Sequence, residues 1–313
     1  MLDNLKRQLL NYRDLVMDIY DKQEASPDTI KAILCNTIDN RTARENPVRL
    51  SHVLYSSEAV AWEDEIVTGG AIEELQFSVP IKGYDVFTSF NRVNIDRPEA
   101  IAKLEGASRR WPRDLQRLQT KQALSVFRSN PLAYDGQNFF DSDHVHPLGK
   151  GTYSNILSVQ LGGTIANITF AEAKFLVHTL RARFMVNMAL EAEILSAAEM
   201  SKNIVLIAHT IEVWTMLELV RTLVQYNNIP NELVGSFQLL YDPNSGTATK
   251  LEAVLSEPGG ARPVFFVPDK DPYLDAWESD AVRNGYVATG LRGQWGFKPG
   301  MPQTAIQATL VPA

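Results

Sequence analysis

Asp141-x-Asp143-His144-x-His146 sets two carboxylates and two imidazoles into one short stretch. Side chains this dense are the kind that bind zinc or another divalent ion and activate a water for hydrolysis. The spacing follows no standard metal pattern. It has no helical His pair with a Glu between, and no calcium loop with Gly at its sixth position. On an extended strand His144 and His146 point the same way, which permits a metal without requiring one. The plainer reading is a polar turn whose Asp side chains accept from backbone N–H groups ahead of Pro147. That reading is preferred here, so no metal, cofactor or catalytic residue is assigned, and replacing both histidines is expected to change little. A metal-dependent hydrolase using Asp141, Asp143, His144 and His146 is the competing reading from another class.

No other constellation carries chemistry. His178 lies mid-helix and His209 follows an apolar run beside Thr210, with no serine elbow, Cys partner or paired acid at catalytic spacing. Both are expected to be hydrogen-bonded packing residues. Gly259-Gly260 and Gly290-Leu291-Arg292-Gly293 lack the context of a phosphate-cradling loop. Cys35, the only cysteine, sits in an Ala-Ile-Leu-Cys run and reads as a small buried hydrophobe. It excludes an internal disulfide and a Cys-based zinc cluster. The basic face from Arg97 to Arg128 has no interleaved aromatic beyond Trp111, so it reads as a solvated helix face.

The elements that must position these residues follow from periodicity. Over residues 1–25, Leu2, Leu5, Leu9, Tyr12, Val16 and Ile19 recur at helical spacing. The resulting amphipathic helix packs on its own domain or reaches a neighbour. From about Val53 to Ile95 the period becomes two, with Gly69-Gly70 as a turn signal, which predicts a projecting hairpin. Residues 97–129 return to helix, with Leu104, Trp111, Leu115, Leu118, Val126 and Phe127 on one face and a kink or restart at Pro112. The loop 131–168 is long enough to be a working surface. Thr169-Phe170-Ala171-Glu172 is a capping box, with Leu176, Leu180 and Phe184 facing inward behind it. Asn203–Ala208 predicts a buried strand and Glu212–Val224 a helix. Further strands are expected at Phe237–Tyr241, Val264–Val267 and Tyr286–Leu291.

Composition narrows the class. The chain has 313 residues, 45% hydrophobic and 21% charged, within the range of a globular protein able to bury a sizeable core. No apolar run is long enough to span a bilayer, and Met1–Arg7 lacks a signal-peptide core. A reducing compartment is expected from the single cysteine. A net charge of −7 argues against a protein that wraps nucleic acid through phosphate contacts.

The run Tyr134-Asp135-Gly136-Gln137-Asn138-Phe139-Phe140, with His146-Pro147 after it, closely resembles the "YDGQNFF…HP" segment of the major head subunits of Mu-like phages. Those are capsid proteins of the Hong Kong 97 type. The resemblance implies an α+β fold with an N-terminal arm over 1–52 and an extended E-loop hairpin over 53–95. A peripheral (P) domain with a long spine helix would take 96–200 plus 290–313, and an axial (A) domain 201–289. It implies a non-enzymatic structural subunit that forms hexamers and pentamers of an icosahedral head. Implied partners are further copies of itself, portal and scaffolding proteins, and double-stranded DNA confined without sequence-specific binding. The implied location is the virion, assembled in the host cytoplasm, with no membrane contact. Two departures stand out: Ala208-His209 where prolines are expected, and a long helical stretch at Met185–Lys202. A cellular nanocompartment shell of the same fold is a further alternative.

Overall fold

The computed structural model describes residues 2–24, 30–40, 47–55, 72–91, 97–145, 151–189, 203–243, 248–256, 262–277 and 286–313. The chain divides into two compact units. The first is built from Met1–Arg49, Ser78–Val126 and Phe265–Lys298; the second from Leu50–Phe77, Phe127–Val264 and Pro299–Ala313.

The first unit centres on a four-stranded sheet in the order β1-β13-β14-β4. Its strands are β1 (Cys35–Thr37), β4 (Lys82–Asn91), β13 (Val264–Trp277) and β14 (Tyr286–Pro299). Both predicted C-terminal strands are therefore far longer than their apolar cores suggested, because Gly, Arg and Asp residues continue the ladder on a half-exposed sheet. β14 and β4 pair antiparallel from Tyr286 opposite Asn91 to Trp295 opposite Lys82. Gly290 allows the closest approach: a Cβ there would stand 1.9 Å from the Val86 carbonyl oxygen.

Four helices complete this unit: α1 (Leu2–Glu24), α2 (Ile30–Leu34), α3 (Pro98–Ser108) and α4 (Trp111–Arg128). α3 ends and α4 restarts at Trp111, so Pro112 sits in a first turn, where its missing N–H costs nothing. Trp111, Leu115, Gln119, Ala123 and Phe127 form a buried ridge at every fourth position of α4. Buried Lys31 donates to Gln119 Oε1 at 3.0 Å and lies over the Phe266 ring. Trp295 Nε1–H donates to Gln122 Oε1 at 2.7 Å. Leu9, Val16 and Tyr20 of α1 are buried and α1 touches α3, so this helix packs on its own chain.

β2 (Val48–Tyr55) and β3 (Ile72–Val79) form a two-stranded sheet of their own. β4, which the alternation had joined to that hairpin, belongs to the four-stranded sheet instead. Trp62–Val67 and Gly69-Gly70 lie outside the described residues.

The second unit holds a five-stranded mixed sheet in the order β11-β8-β12-β15-β7. These are β7 (Ile156–Gln160), β8 (Ile204–Ala208), β11 (Gln238–Tyr241), β12 (Lys250–Leu255) and β15 (Ala305–Val311). All five residues of β8 are buried, as its unbroken apolar run predicted. One face packs Ile204, Leu206, Leu251, Ala253 and Ile306 against α5 (Phe170–Ala189) and α6 (Ile211–Thr222). Each Ile or Leu among them contributes about 1.5–3 kcal/mol by leaving water. The capping box starts α5: Thr169 N–H donates to Glu172 Oε2 at 2.7 Å, and Glu172 N–H donates back to Thr169 Oγ1. Asn231 Nδ2–H donates to Val220 O and Leu223 O, closing the C-terminal end of α6. The short pair β9 (Gln225–Tyr226) and β10 (Ile229–Pro230) turns through Asn227 and Asn228, both at positive φ, as a two-residue hairpin turn requires.

Candidate functional site

The loop after α4 carries the chemistry-bearing residues, and Asp141 and His144 are spent on holding the chain. Asp141 Oδ1 accepts from the backbone N–H of Ser142 and of Asp143, the turn capping read from the sequence. Asp143 is exposed. His144 turns the other way and is fully buried. Its Nδ1 lies 2.8 Å from Asp135 Oδ2 and its Nε2 3.1 Å from Phe139 O. The ring stacks on Tyr153, centroids 5.1 Å apart. Asp141, Asp143 and His144 thus share no focus, and His146 and Pro147 lie outside the described residues. Among the described residues no three His, Cys, Asp or Glu side chains are placed to hold a metal.

The motif residues read as a clasp. Tyr134 Oη–H donates to Val145 O at 2.9 Å. Asp135 accepts from Gln137 N–H on one oxygen and from Val145 N–H on the other. Gly136 takes φ +79, which a side chain disfavours. Phe139 and Phe140 meet Phe127 and each other edge to face at 5.0–5.9 Å, a favoured geometry for aromatic rings. Asn155, which nothing in the sequence flagged, fastens this loop to the C-terminal segment. Its Nδ2–H donates to Phe139 O at 2.6 Å and Pro302 O at 3.1 Å, while its Oδ1 accepts from Asp141 N–H.

A second cluster, invisible to motif reading, lies on the opposite face of the five-stranded sheet. Arg128, the last residue of α4, donates to both oxygens of Glu252 at 3.1–3.3 Å and to Asp242 Oδ2 at 2.6 Å. His209 Nδ1 lies 3.2 Å from Asp242 O, and its Nε2 3.5 Å from Glu252 Oε2. Burial pushes the Glu252 carboxyl up, but the contacts from His209 and Arg128 and the charge of Arg128 bring it below the usual carboxylate value. The 3.5 Å histidine contact is at the limit of a hydrogen bond, so the guanidinium fork carries most of that effect. With both carboxylates saturated by one cation, the cluster is a structural lock rather than an acid–base pair.

The remaining candidates are dispersed. His178 is half exposed on α5 and pairs with Glu232 at 3.1 Å, so it is hydrogen-bonded but not a packing residue. Cys35 is buried. On the basic face, Arg109 pairs with Glu105 and Arg117 with Asp114, both exposed. No helix among the described residues is long and apolar enough to cross a membrane.

No protein-family model matches the sequence, and no curated protein matches it. Solved structures do. The capsid asymmetric unit of cyanophage Pam1 superposes with TM-score 0.54 at 11% identity, covering 91% of this chain and 92% of that one. The capsid of cyanophage P-SCSP1u gives 0.52 at 11% identity, covering 90% and 86%. The capsid of an empty GTA particle gives 0.51 at 10% identity, covering 92% and 91%. At such identities the likeness concerns backbone architecture, and the mixed α+β arrangement described above is the Hong Kong 97-type fold of phage capsid subunits.

Proposed function

We propose that this chain is the major capsid protein of a tailed phage, a prophage or a gene transfer particle. Many copies assemble as hexamers and pentamers into an icosahedral shell around double-stranded DNA, without reading its sequence. One observation carries the reading: the likeness to capsid subunits runs along 91% of the chain rather than over one shared motif. The polar clusters support a non-enzymatic role, since their carboxylates and imidazoles are engaged in fastening a loop and a sheet. In this reading α4 is the spine helix, β2 and β3 with the stretch between them form the E-loop, and residues 201–289 supply the axial domain. Portal and scaffolding proteins are the further partners, and the particle assembles in the host cytoplasm.

Electron microscopy of the purified protein tests this. Closed shells of uniform diameter are expected, and a protein that stays monomeric at every concentration overturns the reading. Nuclease-protected DNA inside the particles is the further expected result. An enzyme cargo in its place assigns the shell to a cellular nanocompartment.

A further inference from the structure

Both ring nitrogens of His144 face hydrogen-bond acceptors. The side chain is fully buried, with Nδ1 2.8 Å from Asp135 Oδ2 and Nε2 3.1 Å from the Phe139 carbonyl oxygen. A carbonyl oxygen can only accept. The Asp135 carboxylate is also used as an acceptor on both sides, Oδ1 from the Gln137 N–H and Oδ2 from the Val145 N–H. A neutral imidazole carries one N–H and one bare lone pair. Beside an ionised Asp135, that lone pair would point at an oxygen lone pair, at 2.8 Å or 3.1 Å according to the tautomer. One further proton on the ring turns both contacts into hydrogen bonds.

Charge gives an independent reason. Asp135 is 5% exposed and, among the described residues, pairs with no Lys or Arg. A buried carboxylate without a cation is costly, so the ring is its counter-charge. The ring also stacks on Tyr153 with planes 22° apart, and an aromatic face favours a cation. The other titratable groups around it are Asp141 and Asp143 just before it in the chain and the hydroxyls of Tyr134 and Tyr153, which lie 3.3 Å apart. None of these adds positive charge that would oppose a cationic ring.

We infer that His144 is held as an imidazolium, a structural cation, and that this makes the clasp an alkali-sensitive latch. Loss of the proton to solvent sets a lone pair against Asp135 or against Phe139 O. The latch fastens two elements at once. Phe139 and Phe140 sit against Phe127 of α4, and Asn155 joins Phe139 O to Pro302 O. Rising pH therefore loosens the loop from both. The folded chain keeps a proton that the unfolded chain gives up near about pH 6.5, the ordinary value for a histidine. The stabilisation is thus complete below that pH and is lost as pH rises.

The test is nuclear magnetic resonance of the full chain labelled with nitrogen-15 in its histidine rings, at about pH 8, where exposed imidazoles are neutral. One ring with both nitrogens protonated is expected, and His144→Gln should remove that signal. A bare nitrogen on every ring overturns the inference, as does a doubly protonated ring that survives in His144→Gln. Denaturant unfolding from about pH 6 to about pH 10 is the second measurement. The ratio of wild-type to His144→Gln folding constants should shrink about tenfold per pH unit above the ordinary histidine range, the slope of one proton, until the advantage is gone. A ratio that stays constant makes His144 a neutral packing residue and overturns the latch. Asp135→Asn keeps the shape and removes the charge, so the ring should lose its proton at lower pH. If His144→Gln fails to fold, the wild-type and Asp135→Asn spectra decide, and identical ring titrations in the two overturn the pairing.

Discussion

His144 and Asp135 are joined inside the protein, imidazole Nδ1 to carboxylate Oδ2 at 2.8 Å, with side-chain exposures of only 0% and 5%. The second ring nitrogen reaches Phe139 O, so one side chain ties a turn to an aromatic cluster. Spacing alone cast His144 as a replaceable loop residue, and its burial reverses that. His144→Asn is expected to destabilise the protein by about 1–3 kcal/mol, since a buried carboxylate loses a donor. Urea midpoints measure the loss. Zinc should not restore it, and a chelator should leave the wild-type midpoint unmoved.

Arg128→Met removes the guanidinium that bridges Glu252 and Asp242. A broken buried pair costs about 3–5 kcal/mol, because the remaining charge is left in a poorly solvated site. Adding Glu252→Gln to the same chain should recover much of the loss. A double-mutant cycle on unfolding free energies checks this, and strict additivity of the two changes would contradict the lock.

Lys174 Nζ–H donates to Glu232 at 2.6 Å. That bond, with Glu232's own backbone N–H and His178, lowers the Glu232 carboxyl from 4.5 to about 2. The folded value lies below the unfolded one, so the pair stabilises fully above pH 4.5 and is lost as pH falls from there through about 2. Because the carboxylate is half exposed, the amplitude stays within about 1 kcal/mol. The stability difference between wild type and Glu232→Gln should hold steady near neutrality and vanish in strong acid. Denaturant titrations across that range measure it.

Gly290→Ala puts a methyl group where the Val86 carbonyl oxygen already stands. Backbone cannot yield as a side-chain tip does, so β4 and β14 must part. A stability loss above about 2 kcal/mol is expected, in keeping with strain at close backbone approach. Hydrogen exchange should show faster exchange across β4 and β14, with β8 and β12 unchanged.

Where one physical signal dominated, the sequence was legible. The all-apolar run of β8, the Thr169–Glu172 box and the restart at Pro112 each follow from local rules, and the Tyr134–Phe140 run pointed to the fold the comparisons show. Misreadings arose where tertiary partners decide. Alternation over 84–90 marks a strand but does not name its partner, so β4 was joined to the wrong hairpin. β12 was missed because Glu252 interrupts its apolar pattern, and Arg128 and His209, distant in sequence, make that carboxylate tolerable there. Asn155 gave no signal at all, since its work is to satisfy backbone groups that meet only after folding.

The place of β15 in its sheet has a consequence for biosynthesis. Residues 305–311 lie between β12 and β7, antiparallel to one and parallel to the other. While the ribosome is still making the chain, β7 has no neighbour to join and β12 keeps one edge open. The second unit therefore cannot close co-translationally until residue 311 has left the exit tunnel.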